Sequence, residues 1–207
     1  MSEVEFIIYK LLAREVELPE FEQWVYSEAC LENMLSADEY LDLISLNYKT
    51  PSSLYEAEKI LKPHISISKY FEWFISRVLH KIIERPNDVY KYIEQCYDLY
   101  CDGFGFLDNL GMGYGLHIPC LPDKYKVNSW DELSIPEQEK LIDSFYPAVL
   151  EEAQKVLSWL NTGKIQITGH DGGYQGIEYE DHRSIEEKEP TGYHISKKRK
   201  KWWKFWS

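Results

Sequence analysis

Apolar side chains recur at intervals of three and four residues through the first half of the chain, and this helical spacing most limits the folds it can adopt. The clearest stripe begins near Ser68 and contains Phe71, Phe74, Ile75, Val78, Leu79, Ile82 and Ile83. Pro86 should end that helix, and Asn87 or Asp88 can cap the next one. Because few residues separate these two helices, we expect an antiparallel pair.

Shorter helices are expected before residue 68. The first should stop near Val16, and Pro19 suits the first turn of the second. Ser27 and Ser36 are plausible N-caps for two more helices, because a serine hydroxyl accepts bonds from unpaired N–H groups at a helix start. Pro63 should close a further helix. The sequence therefore predicts a run of short helices here.

The spacing changes twice in the second half. Between residues 101 and 129, five glycines and many aromatics predict an ordered loop or a short irregular strand pair. Ser134 then begins a helical stripe that Pro147 should kink or divide. After Gly163 the apolar residues alternate, which predicts a β-hairpin at about 164–180.

These patterns predict a mainly α protein. A multi-helix single domain would span residues 1–180 and include the small C-terminal β-hairpin. Residues 181–207 would form a polar segment and a basic, tryptophan-rich tail.

The charge of the chain is unevenly distributed. The 207 residues carry 23 Lys and Arg against 35 Asp and Glu, a net charge of -12. Residues 195–207 hold six of the basic groups and no acid, so residues 1–194 carry a charge of -18. An acidic body of this kind repels phosphates, which argues against nucleic acid as the main partner. With only short apolar runs and an acidic start, we expect a cytoplasmic protein.

No pattern typical of a catalytic site is complete. His170 and Asp171 lie side by side in a glycine-rich turn, and His182 follows, so a metal-dependent hydrolase is one alternative. Asp and Gly are also the residues that turns require. The four cysteines form no CxxC pair. We therefore predict a non-enzymatic protein with no cofactor or metal.

Acidic and aromatic side chains alternate in the segment 97–108. Asp98, Asp102 and Asp108 are interleaved with aromatics that include Tyr100 and Phe104. Aromatics supply contact area and carboxylates match basic groups, so these residues are candidates for binding a basic protein partner. The alternative is that the rings fill the core while the acids face water.

The C-terminal tail combines lysines with tryptophans. Its candidate contact residues are Lys200, Lys201, Trp202, Trp203 and Trp206. Lysines attract anionic headgroups and tryptophans favour the membrane interface, so weak contact with an anionic membrane is one interpretation. The function would then be that of a peripheral membrane protein or a blocker of a membrane toxin. The other two interpretations of the tail are a disordered chain end and an arm that folds back onto the acidic body.

Two short stretches, FEQWVY at residues 21–26 and LISLNY at residues 43–48, resemble small cytoplasmic proteins of Gram-positive bacteria. Some of those proteins are thought to be immunity proteins of polymorphic toxin systems. The resemblance implies an inhibitor that binds one toxin domain. The acidic body is compatible with this role, because it would be steered quickly onto a basic toxin domain.

A membrane role for the tail makes a direct prediction. Liposomes containing anionic lipid should carry the protein upward in a flotation gradient, and a chain ending at Ser196 should stay behind because it lacks the lysines and tryptophans. Equal flotation of the two chains would contradict the membrane interpretation.

Overall fold

The computed structural model describes residues 1–170 and 177–189, and in this part the chain is mainly helical with one two-stranded sheet. The α-helices are α1 (Glu3–Leu12), α2 (Leu18–Ser27), α3 (Leu31–Met34), α4 (Ala37–Ile44), α5 (Ser52–Leu61), α6 (Ile67–Glu84), α7 (Val89–Cys101), α8 (Asp108–Gly111), α9 (Ile135–Phe145), α10 (Ala148–Asn161) and α11 (Ile185–Lys188). Short 3-10 turns lie at Lys62–His64, Gly105–Leu107, Gly115–His117, Asp123–Tyr125 and Trp130–Glu132. The strands are β1 (Ile165–His170) and β2 (Ile177–Asp181). The predicted fold class is confirmed.

Contacts group the chain into two compact units, Met1–Phe74 and Ile75–Ser207. The boundary falls inside α6, whose apolar stripe runs through it without interruption. For this reason the spacing of apolar residues contains no sign of the boundary. The predicted division at residue 180 stays a prediction.

Serine caps define helix starts in the first unit. Ser36 caps α4, as predicted, and it also forms a capping box with Glu39. The bonds from Ser36 together with the imidazole of His64 lower the pKa of Glu39 to about 2. The prediction for Ser27 is wrong. Ser27 is the last residue of α2, and its hydroxyl donates to the carbonyl of Trp24 at 3.1 Å.

The core of the first unit gathers side chains from five helices. α1 ends at Leu12, earlier than predicted, because the chain turns at Arg14 with a φ of 58°. Val16 nevertheless stays in this core. The phenol of Tyr48 donates to the carbonyl of Leu43 at 2.8 Å, so the hydroxyl at its buried end is satisfied. The fully buried side chains include Ile8, Leu11, Phe21, Val25, Leu31, Leu43, Ala57 and Leu61.

Glycines bring α8 and the following 3-10 turn against α7 in the second unit. A Cβ at Gly111 would lie 2.7 Å from the Cβ of Tyr100. A Cβ at Gly115 would lie 2.6 Å from the carbonyl oxygen of Ile93. Segment 101–129 therefore forms compact helical turns, and the strand pair offered as an alternative is wrong.

Two helix predictions for the second unit are confirmed, whereas Asp88 occupies the N-cap position of α7 without a side-chain capping bond. Ser134 and Glu137 form a capping box at the start of α9. Pro147 divides the stripe, since α9 ends at Phe145 and α10 begins at Ala148. In the hairpin, β1 pairs antiparallel with β2, with an irregularity between Ile167 and Gly169.

One helix in the predicted polar segment was not expected. α11 is short and capped by Ser184 with Glu187. Glu187 also accepts hydrogen bonds from Lys164 at 2.7 Å and from the indole of Trp159 at 3.2 Å, which fasten α11 to the second unit. The spacing of Ser184 and Glu187 is a capping-box signal that sequence reasoning could have used.

The close packing of α7 predicts that Gly111→Ala and Gly115→Ala each destabilise the protein by about 1–3 kcal/mol, because the added methyl has no space. Urea unfolding measures the change. Gly169→Ala is the control, since its Cβ would meet nothing nearer than the Glu178 carboxylate at 3.4 Å. If Gly111→Ala were as stable as Gly169→Ala, Tyr100 would have moved aside at little cost in free energy, and the prediction would be wrong.

Candidate functional site

Three carboxylates follow one side of α7. Glu94, Asp98 and Asp102 are spaced four residues apart, so successive members lie on the same side of the helix. We call these three residues the acidic face of α7. Between Lys91 and Lys124 the chain contains no Lys or Arg, and Lys91, which lies one turn before Glu94, pairs with Asp88 at 3.6 Å.

The charges on this face are held in unfavourable surroundings. Burial raises the pKa of Glu94, and the charge of Asp98 raises it further. Partial burial likewise raises the pKa of Asp98, with a second contribution from Asp102. Glu94 and Asp98 thus each lose some hydration and are each disfavoured by the charge of a neighbouring carboxylate.

The position of these charges along the helix adds to the cost. Asp98 lies in the last turn of α7 and Asp102 is its C-cap residue, where the aligned peptide dipoles of the helix leave a partial negative charge. That turn contains no basic residue. The C-terminal end of α7 would therefore stabilise a cation, but the side chains there are the carboxylates of Asp98 and Asp102.

The structure separates the other residues that the sequence singled out. Tyr100 is half-buried, and its Cβ packs against Gly111. Phe104 is fully buried, with its ring edge-on to Phe106 at 5.9 Å, so its place in the core is a correction to its proposed contact with a partner. Asp108 begins α8 and is half-buried.

Sequence reasoning missed two residues beside the candidates. Glu94 belongs to the acidic face, and its four-residue spacing from Asp98 was the available signal. Tyr97 lies one turn before Cys101, and a hydrogen bond with the Cys101 thiol is the largest cause that raises the pKa of the Tyr97 phenol. Both Asp98 and Cys101 are exposed, so this end of α7 is accessible.

The residues of the hydrolase interpretation are only partly described. The backbone of His170 ends β1, while Asp171 lies outside the described residues. The ring of His182 is half-exposed and lies 3.0 Å from the carboxylate of Glu180. Across residues 1–170 and 177–189, no group of three or more potential ligands could hold a metal ion.

The tail residues of the membrane interpretation lie outside the described residues as well: Lys200, Lys201, Trp202, Trp203 and Trp206. None of the helices that the structure describes has the length and apolar character needed to cross a bilayer.

Comparison of the chain with family models, with curated proteins and with solved structures gave no match. The resemblance to immunity proteins therefore stays a prediction.

The raised pKa of Asp98 predicts a pH-dependent gain in stability for Asp98→Asn. A carboxyl group whose pKa is higher in the folded state costs stability as pH rises through that pKa, and the cost persists above it. Asp98→Asn should therefore raise the urea midpoint at neutral pH and change it little below the usual pKa of an aspartate. Asp123→Asn, at an exposed aspartate of the same unit, is the control and should change it little at either pH. A loss of stability at neutral pH in Asp98→Asn would contradict this account.

Proposed function

We propose that the protein is a non-enzymatic binding protein that inhibits a basic protein domain by covering it, as an immunity protein covers its toxin. The observation that carries the proposal is the acidic face of α7. None of its three carboxylates forms a salt bridge with a residue that the structure describes, and Asp98 and Asp102 stand at the end of the helix where negative charge is least favourable.

A basic partner relieves this arrangement directly. A Lys or Arg placed against Glu94 and Asp98 offsets their mutual repulsion and the partial charge of the helix end. The pKa of both carboxyl groups then falls, since a nearby positive charge favours the ionised form. Part of the affinity therefore comes from removing an unfavourable interaction that exists in the free protein.

Both units contribute to attraction at longer range. The first unit holds 14 acidic and 6 basic groups, a charge of -8. Within it, residues 15–48 contain nine acids and no Lys or Arg. Fields of this kind accelerate the encounter with a basic protein, and salt screens them.

Inhibition follows from covering the partner's surface. A domain that acts on nucleic acid holds phosphates with basic side chains. An acidic protein seated on those side chains denies the phosphates access and needs no chemistry of its own. A toxin with nuclease activity is therefore the class of partner that this proposal favours.

The acidic face is tested with Glu94→Gln, Asp98→Asn and Asp102→Asn combined in one protein. The partner is the product of a neighbouring toxin gene, and surface plasmon resonance at increasing salt measures association. We expect the parent to associate quickly at low salt and the variant about tenfold more slowly, because steering and local pairing are both lost.

A matched variant controls for total charge. Asp123→Asn, Asp131→Asn and Glu151→Gln remove three exposed acids from the same unit but leave the acidic face of α7 intact. This control should associate much faster than the first variant. Equal rates for the two variants, or binding that is indifferent to salt, would refute the role of α7, and the absence of any complex would refute the proposed inhibitor.

A further inference from the structure

A cavity of about 530 Å³ lies in the second unit, between the connection from α6 to α7 and one side of α9. Its size is within the range of ligand-binding pockets. Five α9 residues line it at helical spacing: Ile135, Gln138, Glu139, Ile142 and Asp143. It shares no lining residue with the acidic face of α7.

One wall already holds a guanidinium group. The side chain of Arg85 forms an ion pair with the carboxylate of Asp143. Its guanidinium also lies 4.3 Å from the centre of the Tyr146 ring. A carboxylate and an aromatic ring are the two groups that guanidinium binds best, so Arg85 is matched on both sides.

Another part of the lining is aromatic and held in place by hydrogen bonds. The rings of Tyr90 and Trp130 stack with centres 4.6 Å apart and planes 19° apart. Trp130 is buried, and its carbonyl accepts a hydrogen bond from the amide of Gln138 at 3.1 Å. The same amide donates to the carbonyl of Leu133 at 3.3 Å. These bonds fasten the aromatic wall to α9.

The charge of the lining identifies the ligand. Arg85 balances Asp143, while the exposed carboxylate of Glu139 makes no ion pair or side-chain hydrogen bond with any other residue that the structure describes. An anion would meet two carboxylates and one matched guanidinium, and a neutral ligand would strip water from Glu139 without replacing it. A cation is therefore the ligand that the cavity fits.

We infer that this cavity binds the side chain of an arginine from the basic partner. A planar guanidinium bonds the carboxylate of Glu139 with two parallel donors, a geometry that a lysine ammonium cannot match. Val89 and Ile142 cover the aliphatic stem. The origin of the arginine rests on the proposed function, whereas the chemistry of the cavity does not.

A small probe tests the cavity without any partner. Nα-acetylarginine amide is titrated into isotope-labelled protein, and the amide signals of Gln138 and Glu139 and the indole signal of Trp130 are followed by NMR. We expect saturable shifts centred on these residues. Nα-acetylcitrulline amide, which has nearly the same shape but no charge, should cause none.

Two variants locate the binding site. Glu139→Gln, at an exposed position that folding does not depend on, should bind the arginine probe about threefold to fivefold more weakly. Glu151→Gln removes an exposed acid from α10 and should bind the probe like the parent. Shifts that do not saturate, an equal response to citrulline, or an unchanged Glu139→Gln affinity would each overturn the inference.

The arginine-binding test and the test of the proposed inhibitor can fail independently of each other. Arginine binding without a toxin complex would refute the inhibitor and keep the cavity site. A toxin complex without arginine binding would keep the inhibitor and refute the cavity site.

Discussion

The close approach of α8 and the next turn to α7 is the constraint on which the second unit depends. It exists because Gly111 and Gly115 have no side chains where any Cβ would meet α7 at less than 3 Å. The contact turns one side of α7 inward, with Val89, Ile93, Cys96 and Leu99 buried. On the acidic face, Asp98 and Asp102 are exposed and Glu94 is partly buried.

The fixed position of α7 determines how the charges on its acidic face interact. On a mobile segment, like charges would separate and recover their hydration. On α7 the three carboxylates stay on one side of the helix, two of them at its negative end, so the unfavourable interaction persists in the free protein. The repulsion therefore lowers the stability of the free protein, and the proposed basic partner would offset it. Binding surfaces often carry a cost in stability of this kind.

The cavity beside α9 follows a different physical principle. Its guanidinium group, Arg85, is already matched, and its aromatic pair is held in place by Gln138. Little side-chain freedom remains to be lost when a ligand enters, which favours binding by a small group. In the function proposed above, the acidic face supplies long-range attraction and the cavity supplies a specific anchor.

Sequence patterns were most informative where the interactions are local. The N-caps at Ser36 and Ser134, the division at Pro147 and the hairpin depend on residues a few positions apart, and each was predicted. The prediction that Ser27 is an N-cap was wrong because a serine can end a helix as well as begin one. Glu94 was not predicted, although its four-residue spacing from Asp98 is visible in the sequence.

The sequence by itself determined the helical class, most helix ends and the excess of acid, because backbone hydrogen bonds, caps and net charge depend on neighbouring residues or on composition alone. Only the tertiary structure decided that Phe104 is buried, that glycines 111 and 115 serve packing, and that Tyr90, Trp130 and Glu139 share a cavity. Burial and cavities arise from contacts between residues far apart in the chain. Those contacts depend on how whole helices pack, and the spacing within one helix does not contain that information.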